Sequence, residues 1–376
     1  LIDIPALREI FPVTRKWAYL DHAATGSLAD PVFEAVTGHL QDFSQNGCAN
    51  FPDWEETIEE TRRRCATLVG AAPGEIAITK STSDGAIIVA RGLAFERDDN
   101  IVIPDMEFPA NYCPWKDLEQ DGVHCRIVPL KNGRIEIDDL LAAVDERTRV
   151  VALSSVAYHN GFRIDLKAVG EALHTRGVPL YVDAIQSLGA LPIDVDACRI
   201  SFLSADSHKW LLGMEGVGFF YCRQDMLDAI RPPFVSWRSM KEPFDLHAAE
   251  MTLAPTARRF EYAAYNLAGI YGFNAALDLL LGIGIEQIEE RVLALTDRLA
   301  TLLARRGLEI LSPRTRGAAS GIVTFRYKDR AVDYSALSKD LKRKGVVLSA
   351  RGGGLRAAPH LYNNDEDLDK LMEALP

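Results

Sequence analysis

From about residue 75 the chain alternates short apolar or β-branched runs with stretches in which apolar residues recur every three or four positions. The short runs suit strands buried on both faces, and the longer period suits helices that cover them. The pattern predicts strands over 76–79, 100–103, 124–128, 150–154, 180–182, 200–203 and 218–221. Helices are expected between them over 84–94, 137–144 and 166–175, the last followed by Arg176 and by Gly177 as a C-cap. Strands and helices in this order build an α/β fold with a mainly parallel, seven-stranded sheet.

Beyond Pro255 the pattern changes. Residues 266–281 and 285–305 read as two long helices, the second with Ile288, Val292, Leu295, Leu299, Leu302 and Leu303 on one face. Strands over 320–327 and 345–350 flank a helix over 335–344, and a last helix is expected over 365–375. The expected organisation is a large domain over 15–265 and a smaller α+β domain over 266–376, with residues 1–14 packing on the latter. A continuous helix near 266–281 would join the two.

Composition narrows the function. With 376 residues, 48% hydrophobic and 25% charged, the chain can bury a substantial core. No stretch approaches the roughly 18 apolar residues of a membrane span. A formal net charge of −11 argues against nucleic acid or an anionic membrane as partner, since both require a basic face. A small molecule is the expected ligand. The six cysteines stand singly, without a CxxC pair, so neither zinc nor a disulfide framework is indicated and a reducing cytoplasm fits. The first 14 residues have mixed charge and no secretory apolar core.

The chemistry concentrates in two segments, Tyr181-Val182-Asp183-Ala184-Ile185-Gln186 and Phe202-Leu203-Ser204-Ala205-Asp206-Ser207-His208-Lys209-Trp210. A strand ending in an acid puts its carboxylate at the C-terminal edge of a parallel sheet, where α/β folds bind ligands. A lone strand-end acid and a lone lysine are commonly a cap and a surface charge. Pyridoxal phosphate (PLP) enzymes, however, need a lysine for a Schiff base and a carboxylate beside the pyridine nitrogen. Asp183 and Lys209 would supply both.

Those segments resemble the class V, fold-type I PLP-dependent aminotransferase family, which also contains cysteine desulfurases and an isopenicillin N epimerase. The resemblance runs from Tyr19-Leu20-Asp21-His22-Ala23-Ala24 to the final helix. It implies that Asp183 pairs the ring nitrogen, Gln186 the phenolic oxygen, Lys209 the aldehyde carbon and His208 the phosphate. Lys80-Ser81-Thr82-Ser83-Asp84-Gly85 alone reads as a helix N-cap, but the family grips the phosphate at this turn, which makes Thr82 and Ser83 ligands. Ser155 falls where relatives contact the ring oxygen. Phe108, in Glu107-Phe108-Pro109-Ala110-Asn111, stands where the family has a ring-stacking histidine; it can stack but cannot relay a proton.

Arg356, in Arg351-Gly352-Gly353-Gly354-Leu355-Arg356, matches the arginine that binds the substrate carboxylate, a task its planar fork suits. His22 and Tyr158 are the other expected substrate contacts. Asp206 replaces a serine of the desulfurases near the phosphate and is counted with the cofactor residues; a carboxylate there needs a compensating donor. In Phe260-Glu261-Tyr262-Ala263-Ala264, Ala264 replaces a threonine through which the neighbouring subunit commonly reaches the phosphate. The family pattern nevertheless implies a homodimer with active sites at the interface.

The loops in which desulfurases carry their mobile cysteine, around 315–320 and 351–355, hold none. Transfer of the amino group of a small amino acid is therefore the expected reaction. Epimerisation and β-elimination share its first steps and stay open, as does an inactive binding module that keeps the fold.

Overall fold

The computed structural model describes residues 2–245 and 251–376. The large sheet consists of β1 (Ile76–Thr79), β2 (Asn100–Pro104), β3 (His124–Val128), β4 (Thr148–Ser154), β5 (Leu180–Asp183), β6 (Phe202–Asp206) and β7 (Gly218–Cys222). Their spatial order is β1-β7-β6-β5-β4-β2-β3. Only β7 runs antiparallel to its neighbours. Every residue of β2, β5 and β7 is buried, as expected for strands covered on both faces. β6 starts two residues later than the sequence pattern predicts, after Arg199 turns the chain at φ 51°, and so carries Asp206 to its end.

The covering helices include α1 (Asp30–Asn46), α2 (Phe51–Val69), α3 (Thr82–Gly92), α4 (Leu166–Thr175), α5 (Leu267–Ile283) and α6 (Ile285–Arg305). Ser81 caps α3 by accepting the Asp84 N–H at 3.2 Å, and Asn266 caps α5 by accepting that of Gly269 at 3.1 Å. α5 buries Ile270, Phe273 and Leu277 in the core that continues beneath the large sheet. α6 spans two cores: Ile288 and Val292 belong to that one, whereas Leu295, Leu299 and Leu303 belong to a second. The second core lies between α6, α7 (Tyr334–Arg343), α8 (Asp365–Ala374) and a sheet of β8 (Leu308–Ile310), β9 (Val323–Tyr327), β10 (Ser349–Arg351) and β11 (Gly354–Ala357), ordered β10-β11-β9-β8.

The strand predicted over 345–350 is two pieces. Val346–Val347 pairs in parallel with Ala18–Tyr19, and β10 then turns into the antiparallel small sheet. Leu7 and Phe11 of the N-terminal segment join the large core, while Arg8 reaches Asp367 at 2.8 Å. No single helix among the described residues is long and apolar enough to cross a membrane; α5 and α6 pass such a test only as a pair bent by 82°.

Candidate active site

The C-terminal edges of β4, β5 and β6 meet the turn 207–213, and this junction gathers the acids and the lysine singled out by the sequence. Gly26 fixes the turn. Its N–H donates to the His208 carbonyl at 2.6 Å, and a Cβ there would overlap the carbonyl oxygen of Lys209. Because backbone, not a movable side chain, occupies that space, Gly26→Ala should displace Lys209 and lower cofactor retention by at least roughly tenfold, with cost of the order of 1–3 kcal/mol. Dialysis of holoenzyme against cofactor-free buffer, with absorbance before and after, checks this.

Lys209 is 9% exposed. Among the described residues its Nζ has no hydrogen-bond partner and lies 5.4 Å from the centre of the Phe108 ring. Burial pulls its pKa below the usual lysine range, opposed by the Asp183 carboxylate and reinforced by the Arg356 charge. Asp183 is buried at the end of β5, where one oxygen accepts the Ile185 N–H at 3.0 Å. Desolvation raises its pKa to about 6, and Lys209 offsets part of the rise.

At the opening of α3 the Thr82 N–H donates to Asp206 at 2.5 Å, and the buried Thr82 hydroxyl has no partner among the described residues. Asp206 thus occupies a helix N-terminus, the position an anion prefers. Its second oxygen lies 3.5 Å from Nδ1 of His208. Burial and the nearby Asp183 charge nevertheless push its pKa to about 7. A carboxyl whose folded pKa exceeds its ordinary 3.8 binds protons more tightly in the folded state, so its contribution to stability declines as pH rises between about 3.8 and about 7. The Tm of Asp206→Asn minus that of the parent apoprotein should therefore grow between pH 4 and pH 7 and level off above. Paired thermal melts across that range test the sign.

Glu107, named in the sequence motif without a role, ties the Phe108 loop to β4. It accepts the N–H of Ser154 at 2.7 Å, the Ser154 hydroxyl, and Nδ2 of Asn111 at 3.1 Å. Burial, with Asp183 nearby, raises its pKa to about 7. Tyr158 meets Phe108 edge to face with ring centres 5.3 Å apart. Its carbonyl accepts from Nη1 of Arg356 at 2.9 Å. Arg356 is 2% exposed, its Nε is unpartnered among the described residues, and Nη2 lies 3.6 Å from Asp21. Asp21, in the segment Tyr19-Leu20-Asp21-His22, also accepts from Ser349 at 2.5 Å.

Gln186 borders this group. Its Oε1 accepts from the Trp210 indole and its Nε2 donates to Ala23, both at 2.9 Å, leaving one amide N–H free. Ser83, in the first turn of α3, is partly buried. Two of the expected site residues have other partners here. His22 is fully buried, with Nδ1 bonded to the Ala358 carbonyl and Nε2 to the Tyr362 hydroxyl, each at 2.8 Å. It packs against His360 and Trp210 and has no ring nitrogen left for a substrate. Ser155 directs its hydroxyl to the Asp183 carbonyl and to Ser187, and lines a cavity of about 720 Å³ whose walls do not include Lys209. Arg238, in the segment before residues 260–265, is held by Glu55 through two bonds of 2.6 Å.

Residues 18–371 match the model of the aminotransferase class-V family, and the chain belongs to that family. Similar proteins include one from Bacillus subtilis (strain 168) named the uncharacterized aminotransferase YcbU, 32% identical over 371 residues that cover 98% of this chain and 96% of the relative. Another, from Methanothermobacter thermautotrophicus, is named a probable cysteine desulfurase and is 30% identical over 395 residues, with 98% and 96% covered. Among solved structures, a lysine-to-alanine variant of C-DES with glycine covalently linked to its PLP cofactor matches with a TM-score of 0.90 at 24% identity, covering 97% of this chain and 98% of that one. The protein is thus a fold-type I enzyme of a PLP-dependent family, and its cofactor is pyridoxal 5'-phosphate.

Proposed function

We propose that this enzyme is an aminotransferase for a small amino acid, with Lys209 as the residue that holds the cofactor and moves the substrate proton. The observation that carries the reading is the state of Lys209: buried, without a hydrogen bond among the described residues, beside an aromatic face and a buried acid. The donor set fits the cofactor at each end. Lys209 offers an amine for the aldehyde, Asp183 a carboxylate for the ring nitrogen, and Phe108 a face for the ring. The unpartnered Thr82 hydroxyl, with Ser83 and His208 beside it, suits a phosphate. Asp206 fits there in its protonated form, when it donates rather than repels.

The bound cofactor supplies a sink for the electron pair left when a proton leaves the substrate Cα. The protein does the rest. Arg356 holds the substrate carboxylate, and the Lys209 amine, its pKa pulled down by burial, accepts the Cα proton and returns it elsewhere. Tyr158 and the Phe108 loop, tied down by Glu107, border the space in which this happens. Absence of a sulfur-accepting cysteine from the 351–355 turn disfavours desulfuration; Gly352 and Gly353 close that turn tightly at φ 60° and 77°.

Incubation of holoenzyme with single amino acids tests the reading. Aminotransfer releases a keto acid in an amount equal to the cofactor converted, and a second keto acid restores the starting spectrum. Pyruvate with ammonia would instead mean elimination, and loss of optical rotation alone epimerisation. A purified protein that takes up no cofactor would leave only a binding module.

A homodimer is part of this proposal. Phe43, Trp237 and Phe244 are 55%, 40% and 54% exposed, and ring contacts link them through Phe51 and the buried Trp54 into an aromatic ridge. Such a ridge is unusual on a monomer surface. Sedimentation of holoenzyme at twice the chain mass supports the dimer, and sedimentation at the chain mass contradicts it. We further propose a reducing cytoplasm as its location, a compartment that the six unpaired cysteines suit.

A further inference from the structure

The hairpin of β10 and β11 carries two arginines, of which the proposed chemistry uses one. Its register pairs Ser349 with Arg356 and Arg351 with Gly354. Side chains alternate along a strand and directly opposed residues share a face, so Ser349, Arg351 and Arg356 all project from the same side. Leu355, on the other side, enters the small core. The direction of the shared face is fixed by three contacts: Ser349 to Asp21, Arg356 to Asp21, and Arg356 to the Tyr158 carbonyl. Thr324, opposite Arg356 on β9, continues this face and donates to the His159 carbonyl at 2.8 Å. The turn leaves no slack, because a Cβ on Gly352 would overlap the same His159 carbonyl oxygen.

Arg351 is exposed and, among the described residues, makes no hydrogen bond or ion pair. An exposed arginine is ordinarily just solvated. Here its charge acts on both Arg356 and Lys209, against their protonated forms. Three cations facing one small space repel one another; Asp21 acts on both arginines and Asp183 and Asp206 act on Lys209, but of the two arginines only Arg356 lies within ion-pair distance of Asp21. A ligand with a single carboxylate would satisfy Arg356 and leave Arg351 unmatched; a ligand with two anionic groups relieves the repulsion.

We propose that Arg351 is a second anion anchor, so that the substrate is an amino acid whose side chain itself ends in an acidic group. This rests on the proposed function and specifies its substrate class. The α-carboxylate occupies Arg356, and the side-chain acid reaches toward Arg351 at the mouth of the site. Arg351 is therefore a specificity residue and takes no part in the proton transfer.

Spectral titration of holoenzyme with L-aspartate, L-glutamate, L-alanine and L-2-aminobutyrate gives the binding constants that test this. The acidic pair should bind roughly 10- to 100-fold more tightly than the neutral pair, the range for one charged hydrogen-bonded contact. Arg351→Gln should erase that difference and leave the neutral pair unchanged, Arg351→Lys should restore part of it, and Arg356→Gln should weaken all four alike. Equal binding of acidic and neutral amino acids by the parent, or an Arg351→Gln variant weakened toward both, overturns the specificity alone. A cofactor-loaded protein whose spectrum responds to no amino acid overturns the proposed function with it.

Discussion

Lys209→Ala should bind pyridoxal phosphate without the long-wavelength absorbance of a lysine-bound cofactor, and should lose at least about 10³-fold in turnover. The variant removes a covalent attachment and a proton carrier together, and a positioned acid–base group alone contributes roughly 10²- to 10⁴-fold. The fold should survive. Burying an amine in this site is unfavourable, as the downward pull on its pKa records, so alanine relieves a cost while opening a small space. The apoprotein should accordingly melt within a few degrees of the parent. Unfolding of the variant would show that Lys209 serves the core, and full activity would remove it from the chemistry.

Asp183→Asn should have the second largest effect, a fall in turnover of roughly 10²- to 10³-fold at saturating cofactor, the range for removing one preorganised charge from a buried site. Asparagine has nearly the same shape and cannot hold a positive charge on the ring nitrogen. Stability should move the other way. Burial raises the folded pKa of Asp183 to about 6 from 3.8, so ionising it at neutral pH opposes the apo fold. The apo variant should melt at or above the parent at pH 7.5 and lose that advantage toward pH 4. A variant both inactive and markedly less stable at neutral pH would mean that the carboxylate is held for packing instead.

These two residues were legible because each sits where local sequence and sheet position agree. Asp183 ends a short apolar run and Lys209 follows the next one, so a parallel sheet brings both to its C-terminal edge. The seven strands were readable for the same reason, β1 and β3 to the residue. The helices before residue 75 were not read, although they carry clear signals. Pro31 and Pro52 lie in the first turns of α1 and α2, and Gly47 and Gly70 follow their last residues. The apolar stripe of α1 includes Phe33, Leu40 and Phe43, all more than a third exposed, so it does not mark one buried face.

What stayed illegible depends on residues far apart in sequence. His22 was expected at the substrate, yet its partners are Ala358 and Tyr362, and no local pattern announces that pairing. Asp206 could be recognised as a departure from desulfurases, but its contact with the start of α3 joins two segments brought together only by the sheet. Asp21 likewise stood in a quoted motif while its partners Ser349 and Arg356 lay at the other end of the chain.

Borohydride reduction of the holoenzyme followed by peptide mass mapping tests the central claim most directly. The predicted result is one cofactor-derived mass increment, stoichiometric with chain, on the peptide containing Lys209. An increment on any other lysine, or an unlabelled Lys209 in a protein that retains coloured cofactor, would contradict the account.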